Sequence, residues 1–228
     1  MSYDRYGKYY GTDPRVFDSF YQNPLLGIDE SGTGAIAGPI SVAAVVLPRS
    51  HEFLEALTQS HLRDSKDIAG PSLERLFNLL QSHEETQVYT ALAGPREIED
   101  AGTTRVLGRL YNDVCTAFRM FNTGGCILLD GEGNEHLEYS YTPVVKGDQK
   151  SFTISAASVI AKVILDRHMR EEDDKYPMYG FSDNKGYKTR KHAESLKKYG
   201  ACKIHRRNTK PVSDVLEAAL FSSGRLRR

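Results

Sequence analysis

The chain has 228 residues, 39% hydrophobic and 26% charged, with 30 Lys and Arg balancing 30 Asp and Glu. That length and balance suit one folded domain, or one with a small appendage, and argue against disorder. No apolar run approaches the roughly 20 residues of a bilayer span, and the N-terminus lacks the basic-then-apolar order of a secretory signal, so no membrane partner and a cytoplasmic location are expected.

Cys115, Cys126 and Cys202 have no metal-ligand spacing, and an odd number argues against a disulfide framework. The zero net charge hides a division. Residues 185–228 carry 13 Lys or Arg against 3 Asp or Glu, leaving 17 against 27 in residues 1–184. Such asymmetry suits a protein that gathers cations on one part and attracts a polyanion with the other.

In chain order, residues 1–24 are rich in Tyr, Gly and Asp without periodicity and read as an irregular N-terminal arm. Apolar and β-branched runs from Leu25 to Asp29 and from Ile40 to Leu47, bounded by Gly34, Gly38-Pro39 and Pro48, predict two strands; residues 87–93 predict a third. Glu52–Thr58 and Ser72–Gln81 predict helices, the second with a serine N-cap, and Leu62–Asp67 a loop. Residues 96–120 space apolar side chains as one helix, and Cys126–Asp130 returns to strand character. Residues 151–170 predict a closely packed helix built on small residues, followed by helices over 191–199 and 212–221 and a frayed basic tail. This order predicts an α/β fold with a C-terminal helical extension. The expected division is an arm (1–24), a core (25–184) and a basic extension (185–228) packed on it.

Two positions stand out chemically. Asp29 and Glu30 place adjacent carboxylates where an apolar strand meets the turn Gly32-Thr33-Gly34, and Asp130 ends another apolar strand. Carboxylates at a core edge repel each other and lose hydration, so they call for cations or tight hydrogen bonds. A divalent metal is the first candidate. Each alone could instead cap a turn or end a solvated strand.

The segments Gly27–Gly34 with Gly38-Pro39, Asp64-Ser65-Lys66, Asp130-Gly131, Lys146-Gly147-Asp148, Ser155–Lys162, Gly186-Tyr187 with His192, and His205-Arg206-Arg207 occur together in one order. In these the chain resembles the bacterial-type ribonuclease HII family, enzymes that cut the RNA strand paired with DNA, over roughly residues 25–212. The resemblance implies an RNase H-like mixed sheet flanked by helices, with Asp29, Glu30, Asp130 and Asp148 as catalytic metal ligands. Asp29 would bridge two magnesium or manganese ions, and cleavage would leave a 5′-phosphate and a 3′-hydroxyl. It further implies that Gly32, Thr33 and Gly34 approach the ribose 2′-hydroxyl while Tyr187 packs on the following deoxyribose, a readout of sugar shape rather than of bases.

Around that scheme, Lys66 and Lys162 are expected to support substrate or site. Lys188, Arg190, His192, Arg206 and Arg207 are expected to contact the phosphate backbone, and Asp166 to support the ligands from behind. The expected partners are RNA/DNA hybrids and DNA with embedded ribonucleotides, with no obligatory protein partner. One departure is Thr33, where the family usually carries Arg; the shorter form looks like ribonuclease HIII, which favours runs of ribonucleotides. A ribonuclease HIII-like preference is therefore one alternative reading, and a noncatalytic nucleic-acid-binding module is another.

Overall fold

A computed structural model describes residues 2–3, 9–10, 14–60, 62 and 70–222. Strands β1 (Ser2–Tyr3) and β2 (Tyr9–Tyr10) pair antiparallel by themselves and precede helix α1 (Pro14–Ser19). The main sheet contains β3 (Leu25–Ser31), β4 (Ile40–Val46), β5 (Gln87–Ala93), β6 (Cys126–Asp130) and β7 (Thr142–Val144), in the spatial order β5-β4-β3-β6-β7. β3 and β6 run parallel, as do β6 and β7. The helices are α2 (His51–Gln59), α3 (Pro71–Ser82), α4 (Pro95–Ala101), α5 (Thr103–Phe121), α6 (Phe152–Lys175), α7 (Phe181–Asn184), α8 (Arg190–Tyr199) and α9 (Lys210–Ser222). This is the expected RNase H-like α/β architecture with a helical C-terminal extension. Among the described residues, no helix is long and apolar enough to cross a membrane.

The chain forms two compact units. One comprises Met1–Ser31, Val42–Ala91 and Leu107–Val163; the other comprises Gly32–Ser41, Leu92–Val106 and Ile164–Arg228. In the first, every residue of β4 from Val42 to Val46 is buried, the near-continuous apolar run of a strand covered on both faces. Val114 and Phe118 of α5 lie on one buried stripe, each buried side chain of this kind contributing about 1.5–3 kcal/mol. The first half of α6 is buried on nearly every side, which the small residues Ala156, Ala157 and Ala161 permit. Gly27 shows how close the packing is: a Cβ there would stand 2.4 Å from backbone atoms of Thr153 and Ile154, so only glycine fits. In the second unit, Ala37, Leu165, Met169, Tyr179 and Phe181 form one cluster, and Ile36, Leu196 and Val212 another.

Four expectations change. Residues 96–120 are two helices, because Gly102 adopts a left-handed conformation (φ 82°) and its N–H closes α4 on the Ile98 carbonyl. The N-cap of α3 is Gly70 with Pro71 opening the helix, not a serine. β7 had no sequence signal because it is three residues long and contains Pro143, which an edge strand tolerates. Lastly, residues 14–24 are not irregular: Phe17 and Tyr21 pack with Leu25, Leu128, Val144 and Ile154.

Asp18 attaches this segment. One of its carboxyl oxygens accepts the backbone N–H groups of Phe152 (3.0 Å) and Thr153 (3.2 Å), the first turn of α6, while Arg49 donates to the carbonyls of Asp18 and Tyr21. Burial pushes the carboxyl up to about 7, against the opposing pull of hydrogen bonds from Ser151, Thr153 and Phe152 and of the Arg49 charge. A carboxyl raised in the folded state gives its full stabilisation below its ordinary 3.8 and loses it as pH climbs through about 7. Asp18→Asn keeps the accepting oxygen without the charge, so urea melts are expected to show it gaining on the unaltered protein between pH 5 and pH 8. Asp18→Ala, which loses the cap, is expected to cost about 1 kcal/mol at pH 5 and less at pH 8, where it also removes a buried charge.

Candidate active site

The parallel register of β3 and β6 brings the acidic residues together. Ile28 pairs with Leu129, so one residue further on Asp29, near the carboxyl end of β3, lies beside Asp130, the last residue of β6. Successive strand side chains point to opposite faces. Asp29 turns towards α6, where the Ser158 hydroxyl bonds to it, and its Oδ1 also accepts the Glu30 N–H at 2.8 Å. Glu30 turns towards α5 and accepts the Tyr111 hydroxyl on Oε2 at 2.6 Å. Asp130 Oδ1 accepts the Gly147 N–H at 2.6 Å, and the next residue, Asp148, is buried in a short 3₁₀ turn, Gly147–Gln149.

The electrostatics are unfavourable as they stand. Asp29 is 4% exposed, and burial, then the negative charges of Asp130 and Glu30, hold its carboxyl well above the usual carboxylate range, against the Ser158 and Glu30 hydrogen bonds. Burial, with Glu30 next, pushes the Tyr111 hydroxyl far up, so it remains a donor to Glu30. Among the described residues no group of three His, Cys, Asp or Glu forms a ready-made ion cage. The donor set nonetheless fits hard divalent cations: every side chain in question offers carboxylate oxygen, and the charges of Asp130 and Glu30 both act against that of Asp29. Lys162 is partly exposed on α6, one turn after Ser158 and on the same face. Lys66 lies outside the described residues.

The second unit holds the other expected residues. Gly32 is buried at φ 92°, and Thr33 and Gly34 are exposed. Tyr187 is 40% exposed, and a Cβ built on Gly34 would lie 3.9 Å from its Cε1, so the ring stands next to the Gly34 position of the turn. Lys188, Arg190 and Arg207 are exposed; Arg190 pairs with Glu194 at 2.9 Å, and the Arg207 backbone N–H donates to Glu99. Asp166 lies 4.0 Å from Lys185.

Two expected surface cations are not on the surface. His192 is 0% and Arg206 1% exposed, so neither presents itself to a phosphate. His192 Nδ1 bonds the Tyr187 carbonyl at 2.9 Å, and Arg206 donates to the backbone carbonyls of Thr33 in the glycine turn and of Gly38 and Pro39 after it. Tyr111 and Ser158 are the opposite case, groups at the site that sequence reasoning missed. Tyr111 sits inside the apolar stripe of α5, and Ser158 inside a run of small helical residues, so neither pattern marks them.

The ribonuclease HII family model matches residues 26–119 and 120–211. The chain belongs to the ribonuclease HII family. It is 36% identical to ribonuclease HII of Ruminiclostridium cellulolyticum over 185 residues, 81% of this chain and 69% of that one. With ribonuclease HII of Francisella tularensis it shares 34% over 193 residues, 84% of this chain and 98% of that one. The crystal structure of ribonuclease H2 from Pyrococcus horikoshii superposes with a TM-score of 0.67 at 24% identity, covering 85% of this chain and 97% of the other, which shows the shared fold.

The strain at Asp29 has a measurable consequence. Asp29→Asn is expected to be more stable than the unaltered protein in chelator, because it removes a buried charge that two neighbours repel. Since burial raises the carboxyl, the gap should widen as pH rises above 3.8, and thermal melts with and without divalent cations would measure it.

Proposed function

We propose that this chain is a metal-dependent endonuclease that hydrolyses the RNA strand of RNA/DNA hybrids and the RNA side of RNA-to-DNA junctions, leaving 5′-phosphate and 3′-hydroxyl ends. The observation that carries the reading is the buried Asp29 carboxylate, crowded by Asp130 and Glu30 at the carboxyl ends of β3 and β6. Such a group is destabilising unless cations complete it.

Asp29, Glu30, Asp130 and Asp148 would hold two magnesium or manganese ions, Asp29 serving both. When bound, such cations polarise the scissile phosphate and acidify a water molecule. The chain's own groups act by orientation. Tyr111 occupies one oxygen of Glu30, Gly147 one of Asp130, and Ser158 holds Asp29, so these three carboxylates are fixed before substrate arrives. The Gly32-Thr33-Gly34 turn offers backbone to a ribose 2′-hydroxyl, and the exposed Tyr187 ring offers a face against which a deoxyribose fits better than a ribose. Lys188, Arg190 and Arg207 supply phosphate contacts, and Lys162 a cation on the α6 face that carries Ser158.

A labelled hybrid incubated with the purified protein and either ion is expected to be cut internally to 5′-phosphate products, and chelator is expected to abolish the reaction. Asp29→Asn is expected to lower the rate at saturating metal by about a thousandfold, ~4 kcal/mol of barrier, while circular dichroism remains that of the folded protein. Intact hybrid with both ions would leave the noncatalytic binding reading standing.

The exposed Thr33 favours a second reading of preference, restriction to runs of ribonucleotides. Duplexes with one and with four embedded ribonucleotides separate the two. We expect both to be cut, the single one more slowly, and Thr33→Arg to raise its rate by about tenfold through restored forked hydrogen bonding. Equal rates before and after the substitution would remove Thr33 from the account.

A further inference from the structure

Every nitrogen of the Arg206 guanidinium has a backbone carbonyl as partner. Nε donates to Gly38 (3.0 Å), Nη1 to Thr33 (3.2 Å) and Nη2 to Pro39 (2.8 Å), and the residue's own backbone N–H donates to Ile36 (2.8 Å). Only a planar fork satisfies three acceptors spread in this way; an ammonium is a single centre. The segment next to Tyr187 is stitched to the residues that follow the turn, since the Gly186 carbonyl accepts the N–H groups of Ile36 (2.9 Å) and Ala37 (3.2 Å).

Tyr187 is held from its other side by a buried imidazole pair. His192 Nδ1 faces the Tyr187 carbonyl and must donate, so its Nε2 accepts from His205 Nε2 at 3.1 Å. His205 Nδ1 in turn accepts the Cys202 N–H at 3.0 Å. Both rings are therefore neutral with one defined tautomer each. Burial lowers both, His205 to about 4, in agreement with that assignment.

We propose that Arg206 and His192 are positioning residues for sugar selection, Arg206 fixing the Thr33-Gly34 backbone and His192 fixing the Tyr187 loop, so that together they set the spacing between Gly34 and the Tyr187 ring. The inference rests on the proposed reading of that turn and ring as the sugar sensor. It removes both residues from the phosphate-contacting surface, and it gives the basic C-terminal segment a second task, inside the fold rather than on it.

The test uses the full-length Arg206→Lys and His192→Asn proteins beside Tyr187→Ala and Lys188→Ala. The two readouts are the ratio of kcat/KM on one-ribonucleotide against four-ribonucleotide duplexes, and the salt dependence of KM between about 50 and 200 mM. Positioning predicts that Arg206→Lys and His192→Asn change the ratio by about tenfold or more with the salt slope unchanged, whereas Lys188→Ala lowers the slope by about one. An unchanged ratio for Arg206→Lys, or no change in either readout for both positioning variants, overturns the proposal. If Tyr187→Ala leaves the ratio unchanged, the sugar-sensor reading itself fails. If it alters the ratio while the positioning variants do not, only the present inference fails. Should a variant not fold, ¹⁵N spectra of the unaltered protein decide for Arg206: a clamp keeps its Nε–H protected from exchange and unshifted on binding hybrid with calcium, and a phosphate contact does neither.

Discussion

The parallel pairing of β3 with β6 is the constraint on which the chemistry depends. It brings the carboxyl ends of both strands together and so places Asp29 beside Asp130, with Glu30 next in the chain. A lone carboxylate at a strand end is unremarkable to the fold, but three within electrostatic reach, one of them buried, oppose folding. The structure tolerates this because neighbouring donors are already committed: Ser158 to Asp29, Tyr111 to Glu30 and the Gly147 N–H to Asp130. Those bonds leave a residual charge that divalent cations would neutralise, which ties catalysis to a local sacrifice of stability.

The other unit follows a different logic. Its glycine turn is irregular backbone with many polar groups to satisfy, and the fold answers with an internal cation and with strand-like bonds to Gly186 and Ile204. Burying the Arg206 guanidinium is costly, and burial pulls it down to about 10; it stays charged at neutral pH and its three nitrogens are all matched. Thr33, Gly34, Tyr187 and the cations that follow it remain exposed. A sensor of sugar shape needs such rigidity, because it discriminates by fit and not by charge.

Much of the fold was readable from pattern. The strand over 87–93 has the bounds its β-branched run predicts, and the small-residue run around Ala156-Ala157 forecast a tightly packed helix. The failures have local causes. Gly102 broke a helix whose apolar spacing ran straight through it, β7 was too short and proline-bearing to register, and the helix at Pro14–Ser19 draws its apolar partners from distant segments. At the site, Asp29, Glu30 and Asp130 were legible because charge at the end of an apolar run is anomalous. Asp148 had no such anomaly and entered only through family resemblance.

The sequence by itself determined the chemistry available: four carboxylates, a glycine turn and a basic C-terminal segment, since residue type and local pattern are properties of the chain. Only the tertiary structure decided which of those groups face solvent and which hold others in place. His192 and Arg206 read as surface cations because nothing within a few residues of either shows that it is buried. Their partners, Tyr187 and His205 for one and the carbonyls of Thr33, Gly38 and Pro39 for the other, are brought to them by folding, and burial with satisfied hydrogen bonds turns a charge that would attract phosphate into one that shapes the backbone.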